Sequence, residues 1–147
     1  MPRIRKGIDI EATPEQVFAE IADPARQTEW ALPFREIEVV EGDGKSQGSV
    51  QRWQFKVGPR AETLTAIVTD YKENRSIARE VREGPLAYRD RLSVVPQTGE
   101  VTRVEWLVEY EPPMGMLGRL MDALLMNRVF QNDIETSLER LKVRLEG

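Results

Sequence analysis

The chain has 147 residues, the length of one compact domain, and 40% hydrophobic against 31% charged residues is the balance of a folding globule, too apolar for a disordered chain. It has no histidine and no cysteine, which excludes His-based triads, Cys nucleophiles, disulfides and thiolate or imidazole metal sites. A formal charge of -4 gives no general attraction to nucleic acid or anionic lipid. Residues 1–10 are charged and alternating, and no apolar run approaches the roughly 18 residues of a membrane span. The expectation is a cytoplasmic protein with no integral membrane segment.

Residues 3–10 place Ile4, Ile8 and Ile10 on one parity and predict a strand. Thr13 suits a cap, Pro14 the first helical position, and Gln16 completes a capping box, so a short helix follows with Val17, Phe18 and Ile21 on its apolar stripe. Asp23-Pro24 repeats the device and predicts a second short helix ending near Trp30. From Phe34 the period changes to two and predicts strands at 34–41, 49–57, 60–70, 76–83, 87–95 and 102–111. The short turns between them, at 41–48, Gly58-Pro59, 72–75, Gly84-Pro85 and 97–100, demand antiparallel neighbours. After Pro112-Pro113, residues 114–145 predict one helix of about 45 Å. A flat sheet of this size does not need so long a helix, so a sheet curled around it, standing off at one end to leave a cavity, is the expected solution. With no repeat, low-complexity tract or linker, residues 1–147 are read as a single α+β ligand-binding domain.

Three stretches, IDIEATPEQVFAEIADPARQTEW (8–30), GEVTRVEWLVEYEPP (99–113) and IETSLERLKVRLEG (134–147), make the chain resemble the START-like superfamily, also called polyketide cyclase/dehydrase or SRPBCC proteins. The resemblance covers essentially the whole chain. It implies the helix-grip fold: a curved antiparallel sheet of about seven strands wrapped around a long C-terminal helix, with two short helices after the first strand. It also implies a mostly apolar cavity between sheet and helix. Members include lipid carriers, aromatic polyketide cyclases, hormone receptors and chaperone activators, so it specifies fold far better than function.

At about 100° per residue, Leu120, Leu124, Ile134, Leu138, Leu141 and Leu145 fall on one helical stripe, with Asn127 and Gln131 between them. The two amides are read as polar contacts in the cavity; the alternative is that they bond a strand or loop. Trp53, Phe55 and Val57 share a strand face, as do Val104, Trp106, Val108 and Tyr110. Leu64, Ala66 and Val68 share parity as well, while Ile67 and Tyr71 on the other parity leave that strand's orientation open. With Gly84-Pro85 as turn residues, Val81 faces Tyr88 and Arg79 faces Asp90, on the same apolar face as Ile77 and Leu92. A one-residue slip would turn all of them outward. The ligand-binding set is therefore Trp53, Phe55, Leu64, Leu92, Trp106, Leu120 and Leu124 for apolar lining, with Arg79, Tyr88, Asp90, Tyr110, Asn127 and Gln131 for polar groups. The bland readings are plain core for the aromatics and a neutralised ion pair for Arg79 and Asp90.

GDGKSQG (42–48) lacks the spacing of a phosphate loop and is read as a flexible strand-to-strand loop that either gates the cavity or merely connects. No carboxylate cluster suggests a metal, and no cofactor is called for. Leu117, Met121, Leu125, Met126 and Val129 point away from the stripe and make either a covered face or a partner surface, a homodimer contact included. Binding of a small hydrophobic or amphipathic molecule in the central cavity, for transport or sequestration, is the leading expectation, with no nucleic-acid partner. The enzyme alternative is a metal-free cyclase or dehydratase with Asp90 as base and Tyr88, Tyr110 or Arg79 as donors to an enolate. A third reading is an interaction module docking through the start of the last helix.

Overall fold

The computed structural model describes residues 2–57, 60–111 and 120–147, with side chains from 123 onward in the last stretch. The predicted turn at Gly58-Pro59, the strand-ending Pro112-Pro113 and the helix start at 114–119 lie outside the described residues. The element order is β1 (Arg3–Ile10), α1 (Pro14–Ala22), α2 (Pro24–Trp30), β2 (Phe34–Glu41), β3 (Val50–Val57), β4 (Arg60–Lys72), β5 (Ser76–Glu83), β6 (Ala87–Pro96), β7 (Thr102–Glu111) and α3 (Leu120–Glu146).

The seven strands form one antiparallel sheet in the order β1-β7-β6-β5-β4-β3-β2. Consecutive strands from β2 to β7 pair with one another, and β1 closes on β7. The sheet curves. Register shifts interrupt β2/β3 near Phe34 and Val39 and β4/β5 near Thr65 and Val68, and such extra residues bend a strand and increase its twist. At the β5/β6 turn, Gly84 has φ +137, and a Cβ there would stand 2.6 Å from Leu64 Cδ2 and 3.1 Å from the Thr63 carbonyl. Only glycine fits this corner without moving β4.

The two short helices start where their caps dictate. Gln16 N–H donates to Thr13 Oγ1 at 3.2 Å while Thr13 N–H donates to Gln16 Oε1 at 3.0 Å, and Ala25 N–H donates to Asp23 Oδ1. Val17, Phe18 and Ile21 from α1 and Pro24, Gln27 and Trp30 from α2 are buried. On α3, Ser137 Oγ accepts the Leu32 N–H at 2.8 Å, Arg144 pairs with Glu20 and Glu29, and Lys6 of β1 meets Glu135 at 2.7 Å. At about 1.5 Å per residue α3 spans about 40 Å, and these ties seat it across the concave face against β1 and the short helices.

Candidate functional site

The concave face collects large aromatic side chains. Trp30, Phe34, Trp53, Phe55, Tyr88, Trp106, Tyr110 and Phe130 are all buried. Phe34 meets Trp53 edge-on at 4.8 Å between centroids, Tyr88 meets Phe55 at 4.9 Å, and Phe130 meets Tyr110 at 5.2 Å. Pairs of this geometry are each worth about 0.5–1.5 kcal/mol beyond the area they bury. Trp53, Phe55, Leu64, Leu92 and Trp106, expected along a cavity wall, are wholly buried in this cluster. Side chains meet where a central cavity was expected. On β4, Leu64, Ala66 and Val68 do face inward. Tyr71, displaced by the shift after Val68, packs its ring on Phe18 at 5.7 Å.

The β5/β6 register places Arg79 opposite Asp90 and Ile77 opposite Leu92, as the Gly84-Pro85 turn predicts, but the ladder ends at Glu80 opposite Arg89, short of the expected Val81/Tyr88 pair. Arg79 is 2% and Asp90 5% exposed. The guanidinium grips the carboxylate with two parallel bonds, Nε to Oδ1 at 3.1 Å and Nη2 to Oδ2 at 2.7 Å. The Tyr88 hydroxyl and the Trp106 indole N–H also donate to Asp90 Oδ2, at 2.7 and 3.2 Å. Four donors thus engage one carboxylate, one at Oδ1 and three at Oδ2. Arg79 Nη1 donates to Gln27 Oε1 at 2.6 Å, and its guanidinium carbon lies 4.6 Å from the Phe34 ring centroid and 4.9 Å from that of Trp53. Burial, followed by the negative charge of Asp90, holds the Tyr88 phenol well above its usual range, so it is neutral and donates. This network fastens α2 to the sheet and commits the charge of Asp90 to Arg79 and to two neutral donors.

Gln27 was not among the expected residues, although Gln27 and Trp30 stand three apart on the buried face of a seven-residue helix. Its Oε1 must face the guanidinium, so its Nε2 points elsewhere and is buried without a partner among the described residues.

The α3 stripe differs from the expected one. Met126, Phe130, Ile134, Leu138 and Leu141 are buried, together with Asp133 and Ser137, whereas Leu124 is 58% and Leu125 57% exposed. Counted at about 100° per residue, the buried arc is displaced by roughly 60° from the line drawn through the leucines. Leu124 was expected on the buried stripe and lies outside it; Met126 was expected to point away and is in the core. The cause is the space offered by Phe55, Tyr88 and Tyr110, which Phe130 fills. The Leu120 and Met121 side chains and Leu117 lie outside the described residues.

Turning α3 this way places Leu124, Asn127 and Gln131 in a cleft of about 660 Å³, whose described lining, with Arg128, Val129, Asn132 and Glu135, lies wholly on α3. Asn127 and Gln131 are half-buried. The Tyr110 hydroxyl donates to Asn127 Oδ1 at 2.7 Å, and burial pushes this phenol up to about 12. The cleft thus touches the aromatic interior through one hydrogen bond, and of the expected ligand-binding residues it borders on Leu124, Asn127 and Gln131.

The 42–48 loop is cross-linked by hydrogen bonds centred on Asp43. Asp43 accepts from the Lys45 and Ser46 N–H groups and from the Ser46 and Ser49 hydroxyls. Those bonds, led by the Ser46 hydroxyl, hold its carboxyl well below the usual range. Gln51 Nε2 donates to the Gly44 carbonyl at 2.6 Å while its Oε1 accepts the Trp53 indole N–H. Among the described residues, no group of three or more Asp or Glu side chains is placed to hold a metal ion, and no helix is long and apolar enough to cross a membrane.

Comparison with solved structures places this architecture among START-like proteins. A Thermus thermophilus protein superposes with a TM-score of 0.81 at 22% identity, covering 98% of this chain and 97% of its own. The Zhui aromatase/cyclase of a Streptomyces species gives 0.80 at 16% identity, covering 99% and 93%. A START superfamily protein from Mycobacterium smegmatis gives 0.64 at 17% identity, covering 90% and 97%. At these identities the likeness is one of fold. No curated protein matches the chain. The family model described as polyketide cyclase / dehydrase and lipid transport matches residues 1–146, and the chain belongs to that family.

Proposed function

We propose that the protein binds a small hydrophobic or amphipathic molecule, as a carrier or sequestering protein, and that it does so in the cleft along the first half of α3. The observation that carries this reading is the juxtaposition of a largely exposed Leu124 with the half-buried amides of Asn127 and Gln131 in a cleft of about 660 Å³. That volume is within the range of small-molecule sites, which pair apolar walls with a few placed polar groups. Membership of a family described by lipid transport and polyketide chemistry supports it. The aromatic cluster behind α3 is joined to the site through the Tyr110–Asn127 hydrogen bond. A cyclase reading is less well supported, because Asp90 already accepts four hydrogen bonds.

The test is displacement of a fluorescent apolar probe, 1-anilinonaphthalene-8-sulfonate, by an organic extract of cells, with native mass spectrometry of the protein after exposure to the same extract. We expect a retained small molecule and a probe signal lost in Leu124→Glu. Absence of any bound species, or an unchanged signal in Leu124→Glu, would overturn the reading.

A further inference from the structure

The hydrogen-bond polarity of the α3 cleft is set from below. The Tyr110 hydroxyl is buried and neutral, and its single proton needs an acceptor; among the described residues that acceptor is Asn127 Oδ1. The reverse orientation would put the Asn127 amide nitrogen against the phenol oxygen and leave the buried phenol hydrogen unspent. Asn127 therefore has its carbonyl turned inward, and its Nδ2, with two N–H groups, is the end left for the cleft. Of the other polar lining residues, Arg128 can only donate, while the exposed Asn132 amide carries both a donor and an acceptor. Glu135, the carboxylate among the described lining residues, is met by Lys6 at 2.7 Å. Gln131 stands one turn from Asn127 on the same side and can offer its amide N–H groups beside it. The apolar wall at Leu124 lies about 10 Å along the helix from Gln131.

We infer that the cleft selects amphipathic molecules whose polar end is a hydrogen-bond acceptor, a carbonyl or carboxylate oxygen, received by Asn127 Nδ2 with Gln131 beside it and the apolar portion lying on Leu124. Tyr110 is the positioning residue that fixes which end of Asn127 is presented. This inference rests on the cleft being the binding site.

The experiment uses three probes with matched apolar chains: decanoate, methyl nonyl ketone and decylamine, titrated calorimetrically into the full chain. Decanoate and the ketone are expected to bind about tenfold or more tighter than decylamine, as befits an amide donor that loses its partner. Comparing the first two separates a preference for charge from one for the oxygen alone. Asn127→Asp is expected to reverse the order, because the carboxylate accepts where the amide donated. Gln131→Glu carries the same test at a neighbouring position should Asn127→Asp fail to fold. Tyr110→Phe is expected to narrow the discrimination while all three probes still bind, a change that loss of packing alone would not produce. Equal or tighter binding of decylamine by the unaltered protein, or an unchanged order in folded Asn127→Asp, would overturn the inference. If all three bind equally and Leu124→Glu abolishes them together, the site stands and the acceptor preference falls; if none binds, both fall.

Discussion

Asp90 and Arg79 show how a pair of charges becomes structural. Each alone would be a large cost in this interior, and together they are offset by two parallel bonds, with the Tyr88 and Trp106 donors completing the carboxylate. Removing one member leaves the other buried and uncompensated. Asp90→Asn is therefore expected to cost about 3–5 kcal/mol in urea unfolding. Arg79→Met combined with Asp90→Asn should cost clearly less than the sum of the two single changes, because the double variant buries no orphan charge. Additivity in that cycle would mean that the two groups do not depend on each other. The pairing was legible in the sequence because the tight Gly84-Pro85 turn counts residues outward in fixed steps and alternation then assigns the face. The third partner, Gln27, was not, since nothing local connects α2 to β5, fifty-two residues away.

At the level of elements, the strands and short helices follow local signals closely. The Thr13 and Asp23 caps start α1 and α2 where the sequence places them, and β2, β5 and β7 have the predicted bounds. The rotation of α3 about its own axis is different. Its first half is apolar on several sides, so periodicity alone admits more than one buried face. The choice falls to the partner surface, and the ring-sized space among Phe55, Tyr88 and Tyr110 selects Phe130 over Leu124. Phe130→Ala is accordingly expected to lose about 3–5 kcal/mol, whereas Leu124→Ala should stay within about 0.5 kcal/mol. Thermal and denaturant melts of the two variants check this contrast, and a larger loss for Leu124→Ala would restore the leucine stripe as the buried face.

The whole molecule carries its pH response at both ends of the range. Glu109 has its carboxyl lowered chiefly by hydrogen bonds from Arg89 and then Arg3, and Glu146 chiefly by the Glu11 N–H and then Lys142. A carboxyl lowered in the folded state stabilises fully above its unfolded value of about 4.3 and loses that contribution as pH falls through the folded value. Tyr88 and Tyr110 are raised by burial. Their contribution is complete below about pH 10, the unfolded value, and is lost as pH rises through the folded one. Urea midpoints should therefore hold between about pH 5 and 9 and fall on both sides. Asp43, lowered chiefly by the Ser46 hydroxyl, acts in the same direction, so Glu109→Gln with Glu146→Gln and Asp43→Asn should flatten the acid limb only, and a limb of unchanged steepness would show that other groups govern it.

The amino-acid sequence by itself determined the element order, the antiparallel sheet, the two proline-started helices and the inward Arg79/Asp90 register, because each rests on spacing between near neighbours. Tertiary structure alone decided that Trp53, Phe55 and Trp106 fill the interior, that α3 turns Phe130 toward them, and that Leu124, Asn127 and Gln131 border a cleft. Those outcomes depend on how bulky side chains from elements far apart in sequence compete for one space, and no local period records the winner.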